Sequence, residues 1–238
     1  MIMNPQSFAD QLIESLELES SPVALQFVRE PPKDIPQFEG KVHASCAFWR
    51  HAEQGLFYTS ASDHANCPIG VHTMGLPTSE ETATELEETV QQMSKLGYID
   101  PAEVAKIPTV SGEKSGIVYG PLAEMETPPD AILLWVTPYQ AMLLNEAMGE
   151  VAWSQPSGTS LLGRPGCAAI PAALNQGKIS FSLGCMGMRT FTEIAQDRML
   201  VVLPCQALPT LMESLQRIIP ANQKMKQFYQ QKRVTNCP

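Results

Sequence analysis

The chain has 238 residues, 44% of them apolar, enough to bury a substantial core without a metal ion or disulfides to hold it together. Lys and Arg number 16 against 25 Asp and Glu, a formal charge of −9. That balance repels a phosphate backbone and argues against nucleic acid as a partner.

The first stretch, "MIMNPQSFADQLIESLELESSPVALQFV", lacks the basic start, apolar stretch and small-residue cleavage site of a signal peptide. No apolar run approaches the roughly 18 residues of a membrane span. A soluble cytoplasmic protein with no membrane partner is therefore expected. In a reducing compartment, six cysteines point to metal binding or thiol chemistry before disulfides.

In chain order, Phe8, Leu12, Ile13 and Leu16 recur at helical spacing and predict an opening amphipathic helix. "VALQFV" (23–28) reads as a strand, followed by the proline-rich loop "REPPKDIPQFEG". "LFYTS" (56–60) is a short strand. Thr78 with Glu81 suggests a capping box for a helix carrying Leu86, Val90 and Met93 on one face and ended by Gly97. "SGIVYGPL" is strand then turn, "AILLWV" (131–136) a buried strand, and "YQAMLLNEAMG" a short helix stopped at Gly149. "MLVVLP" (199–204) is a strand, and "LPTLMESLQRII" a helix ended by Pro220. The basic cluster Lys224, Lys226, Lys232 and Arg233 reads as a solvated helix face or tail. Alternating strands and helices place the fold in the α/β or α+β class, a mixed sheet with flanking helices.

Self-similarity adds to this. "CAFWRHAEQGLFYTSASDHANCPIG" (46–70) and "CAAIPAALNQGKISFSLGCMG" (167–187) both open Cys-Ala, reach Gln-Gly nine or ten residues on, continue as a strand, and close Cys with a glycine two or three residues later. An apolar strand precedes each copy and another follows. Two related halves about a pseudo-two-fold axis are expected, 22–124 and 129–210. An N-terminal helix over 1–21 and a C-terminal helix and tail over 211–238 complete the chain; one compact domain overall is the alternative reading.

Such an axis would bring Cys46, Cys67, Cys167 and Cys185 together. Four converging thiolates suit a [4Fe-4S] cluster, and dispersed single cysteines favour a cluster over zinc, whose ligands usually come in close pairs. The close pairs available are His43 with Cys46 and His64 with Cys67, in the matched segments "HASCAFWRH" and "HANCPIGVH". These leave a Cys2His2 zinc site as an alternative, with His51 and His72 as second choices. Arg50, Arg164 and Arg189 each lie three or four residues from one of these cysteines. A guanidinium there can activate a thiol or hold an anion. Cys205 and Cys237 read as a buried hydrophobe and a bystander.

At "PVALQFV", "SCAFWRHAEQGLFYTS", "NCPIGVHTMGL", "TPYQAMLLNEA" and "ISFSLGCMGMR" the chain resembles the prokaryotic ArCR-type family called domain of unknown function 169. The resemblance spans about residues 10–218. It implies weight on Cys46, Cys67, Cys167 and Cys185, on Gly70 and Gly187 and on Arg189, leaves the histidines outside the pattern, and carries no activity.

The resulting expectation is an iron-sulfur protein in electron transfer or redox sensing, with the four cysteines as ligands and Arg50 and Arg189 tuning the cluster or receiving an anion. A redox partner protein is implied, and a homo-oligomer is possible. The alternatives are a metal-free binding module for an anionic small molecule lined by arginines, and a structural zinc protein.

Overall fold

The computed structural model describes residues 4–149, 152–153 and 165–236. Strands β1 (Val23–Val28), β2 (Phe57–Ser60), β3 (Gly116–Pro121), β4 (Ala131–Val136), β5 (Ala152–Trp153), β6 (Ser180–Ser182) and β7 (Met199–Pro204) form one sheet in the order β2-β3-β1-β4-β7-β6-β5. Every pairing is antiparallel except the short β5–β6 contact. The class is mixed α/β, an antiparallel sheet flanked by helices.

Strands β4 and β7 are apolar at every position because helices cover both faces of the sheet. In β4, Ala131, Leu133 and Trp135 join one core cluster while Ile132, Leu134 and Val136 join the other. The β4–β7 register sets Leu133 opposite Val202 and Ile132 opposite Leu203, so both cores continue into β7. Each large side chain withdrawn this way contributes about 1.5–3 kcal/mol.

One face carries helices α1 (Pro5–Leu16), α5 (Pro138–Met148) and α8 (Leu208–Asn236). The Asn4 side chain caps α1 by accepting the Ser7 N–H at 3.2 Å, and Ala9, Leu12 and Leu16 are buried. Thr137 and Gln140 form a reciprocal capping box on α5. The Gln140 amide also donates to the carbonyls of Leu16 and Glu17, at 2.7 and 3.1 Å, which ties α5 to the end of α1.

Two helix boundaries differ from expectation. The α8 helix runs through Pro220 instead of ending there. Proline removes the bond to the carbonyl four residues back, here that of Gln216, which lies on the exposed side where water replaces it. Buried Leu208, Leu211, Met212 and Leu215 anchor the helix before the proline, and the basic residues Lys224, Lys226, Lys232 and Arg233 lie on the exposed part beyond it.

The other face holds α2 (Phe48–His51), α3 (Pro68–Met74), α6 (Ala169–Gln176) and α7 (Met186–Thr192), with α4 (Glu80–Lys95) packed against α3. Ser79, not Thr78, caps α4: its hydroxyl accepts the Thr82 N–H at 3.1 Å, while the Thr78 hydroxyl donates back to Leu76. Gly97, at φ 69°, turns the chain after α4 as expected.

Lys114 was not singled out by any sequence pattern. Its ammonium donates to the carbonyls of Gly112, Val110 and Ser111, at 2.7, 2.9 and 3.2 Å, which closes the loop before β3. Burial lowers its pKa, and Asp130 opposes that shift. Replacing Lys114 by Met leaves these carbonyls without their donor and is expected to cost about 2 kcal/mol in urea unfolding. Among the described residues no helix is long and apolar enough to cross a membrane.

Candidate functional site

Two pairs of cysteines reach the same cleft from similar local structures. Cys46 and Cys167 sit in 3₁₀ turns, Ser45–Ala47 and Gly166–Ala168, each running directly into a helix. Cys67 and Cys185 occupy the N-cap positions of α3 and α7. The first pair is buried and the second half-buried. All four line one cleft of about 130 Å³, partly open to solvent, together with Ile69, Met93, Met188, Phe191 and Tyr98. The Tyr98 hydroxyl accepts the Met186 N–H at 3.1 Å, which ties the end of α4 to the start of α7.

Burial decides the state of the inner thiols. Desolvation pushes the Cys46 pKa up to about 12, and charge on Cys67 or Cys185 pushes the same way. Burial likewise raises the Cys167 thiol well above its ordinary value. Both are held protonated at neutral pH.

The turn bearing Cys46 is pinned by a buried hydrogen-bond chain. The Thr59 hydroxyl donates to the Ile117 carbonyl at 3.1 Å, so it accepts from His64 Nε2 at 2.9 Å. The remaining ring nitrogen, Nδ1, then accepts the Ser45 hydroxyl at 2.9 Å. Ser45 and His64 are both 1% exposed. Burial lowers the His64 pKa to about 4, with Asp63 opposing, and the ring stays neutral. Gly70 allows α3 to lie against this chain: a Cβ there would fall 2.1 Å from Ser45 Oγ.

These arrangements correct the metal expectation. Among the described residues no group of three or more His, Cys, Asp and Glu side chains is arranged to hold a metal ion. The cysteines share a cleft without closing into a ligand set. The [4Fe-4S] cluster and the zinc alternative are both overturned. With them falls the redox partner, whose only basis was the cluster.

The histidines are used otherwise. His43 is exposed and stacks on Phe191, His51 meets Phe38 edge-on, His64 holds Ser45 and Thr59, and His72 is half-buried on α3. Their matched spacing corresponds to no shared structural role: Cys46 lies inside a 3₁₀ turn and Cys67 at a helix N-cap.

The arginines lie elsewhere too. Arg50 pairs with both oxygens of Glu53, at 2.9 and 3.0 Å, and Glu53 also accepts the Trp135 indole N–H. They border a separate polar cleft with Glu19 and Arg198. Arg189 donates to the carbonyls of Leu183 and Arg198 and so fastens the chain on either side of α7. Arg164 and Cys237 lie outside the described residues. Among the described residues no arginine lines the thiol cleft.

The family profile of domain of unknown function 169, described as uncharacterised ArCR, matches residues 11–214. The chain belongs to this family. A relative from Methanocaldococcus jannaschii, named "Uncharacterized protein MJ0308", is 27% identical over 223 residues, covering 87% of this chain and 92% of its own. No solved structure matches. In this member of the domain of unknown function 169 family, the matched span contains all four cleft cysteines.

Sequence reasoning brought the four cysteines together but missed three other contributors. Ser45 sits beside Cys46, and a serine facing a glycine in the next helix leaves no periodic signal. Met93 and Tyr98 enter from α4 and the turn after it, and Met93 read only as one residue of an apolar helix face.

Proposed function

We propose that the protein is a metal-free binding module that takes a small apolar molecule in the thiol-lined cleft. The observation that carries this is the character of the lining: Ile69, Met93, Met188, Phe191 and four sulfurs, with few polar groups. Concave, largely apolar sites with a few polar groups are where proteins bind small molecules. The anionic ligand expected from the arginines loses support, since Arg50 is satisfied by Glu53 and Arg189 by backbone carbonyls.

We also infer that the halves 22–124 and 129–210 are duplicates whose equivalent cysteines meet at the cleft. The strand order supports this: β2-β3-β1 and β6-β7-β4 run inward toward the central β1–β4 pair, with the two-residue β5 outside β6. Each half also passes through cysteine turn, helix, strand, cysteine N-cap, helix and strand, the first half adding α4 before its last strand. A reducing compartment such as the cytoplasm would keep such thiols free.

Gly187 supplies the test. It lines the cleft, and a Cβ there meets nothing closer than Phe191 at 3.8 Å, so a larger side chain fits into the open space. Gly187→Leu should hold or raise the thermal midpoint, because leucine favours the helix. The neutral fluorophore N-phenyl-1-naphthylamine should bind the native chain saturably at one site, and the variant at least tenfold more weakly. Equal affinity in both chains, or no saturable binding to the native one, contradicts the reading.

A further inference from the structure

Four thiols in one cleft are not chemically equivalent, and their surroundings single one out. Cys46 and Cys167 are buried and kept protonated. Cys67 and Cys185 are both half-exposed at helix N-caps, but only Cys185 receives a hydrogen bond at sulfur: the Met188 N–H donates to its Sγ at 3.3 Å. That bond fixes the position of the sulfur at the start of the helix, beside the cleft. Burial, together with charge on Cys67 or Cys185, raises the Cys46 and Cys167 thiols, which leaves the two half-exposed sulfurs as the reactive candidates. The apolar lining, with exposed Met186 and Phe191 on the same helix, selects an uncharged partner.

We propose that Cys185 is a nucleophile that captures small apolar molecules bearing an electron-poor carbon–carbon double bond. This rests on the reading of the cleft as a small-molecule site and names the ligand class for it. The thiolate sulfur forms a bond to the β-carbon. The π pair moves to the α-carbon, which takes a proton from water, and the hydroxide left behind is neutralised by the thiol's own released proton. The net reaction is addition of S–H across the double bond, with no leaving group and no oxidant.

N-phenylmaleimide is a probe of this class, and N-phenylsuccinimide is its saturated isostere, able to occupy the cleft but not to add. The test uses the full chain carrying Cys237→Ser, substoichiometric maleimide at pH 7, and peptide mapping of the adducts. Cys205, half-buried and outside the cleft, serves as the internal reference. Adduct on Cys185 should exceed that on Cys205 and on Cys67 at least tenfold, and excess succinimide should slow it at least fivefold. Cys185→Ser should abolish this fast labelling while keeping the thermal midpoint, because serine is itself a favoured N-cap. Adducts spread evenly, or concentrated on Cys67, overturn the assignment. Succinimide that binds while Cys185 stays unmodified removes the nucleophile but leaves the binding site. Labelling of Cys185 that succinimide does not slow removes both.

Discussion

Lowering the pH from 7 to 4 is expected to cost the protein about 3 kcal/mol through His64 alone. The ring is buried and neutral, with its pKa lowered to about 4 by loss of solvent. An unfolded histidine takes up its proton near pH 6.5. Above that value both states carry a neutral ring and the native state keeps its full stability. Between about 6.5 and 4 the unfolded chain binds a proton the native chain refuses, so stability falls as acid is added. Below about 4 both states are protonated and this contribution stops changing. Protonation would also break the arrangement in which Nδ1 accepts from Ser45. Urea unfolding of the native chain and of His64→Gln at a series of pH values isolates the effect. The variant should lose about 3 kcal/mol less over that interval. Identical slopes in the two proteins would show that His64 titrates as if exposed.

Gly70→Ala should destabilise the fold by about 3 kcal/mol, far more than a methyl group on a helix surface. The added carbon would lie 2.1 Å from Ser45 Oγ and 2.6 Å from Ser45 Cβ. Ser45 cannot yield easily, because its hydroxyl is bound to His64 inside the core. Either α3 moves away or the turn carrying Cys46 shifts, and both consequences reach the cleft. Adding Ser45→Gly removes the obstructing atoms and should return part of the loss, so the double variant is expected to be more stable than the sum of the singles. Strict additivity would mean that the two residues do not press on each other.

How far these features could be foreseen depended on whether they repeat along the chain. β4 and β7 were legible because six consecutive apolar residues have few uses except a strand buried on both faces. Gly97 and Gly149 marked helix ends through local backbone chemistry. Pro220 misled, since its cost falls on one carbonyl facing water and the packing of Leu211 and Leu215 lies before it. The grouping of the four cysteines was readable from two segments that each open and close on a cysteine, Cys46 to Cys67 and Cys167 to Cys185. Their chemistry was not, because a metal site depends on side-chain geometry that spacing along the chain does not record. The histidines carried the most regular pattern and the least shared role: His43 and His51 face outward, and only His64 enters the core. Its partners, Ser45 and Thr59, are polar residues of ordinary spacing that become a network only when β2 and the cysteine turn meet.

The central claim is that the cleft accepts a small apolar molecule without a metal. Chelator-treated protein labelled at methionine methyl groups, titrated with N-phenylsuccinimide and followed by NMR, addresses it most directly. Met93 and Met188, which line the cleft, should shift saturably with a single dissociation constant, while Met199 and Met212 in the opposite core stay in place. Unmoved Met93 and Met188 signals, or shifts that arise only after metal is restored, would contradict the account.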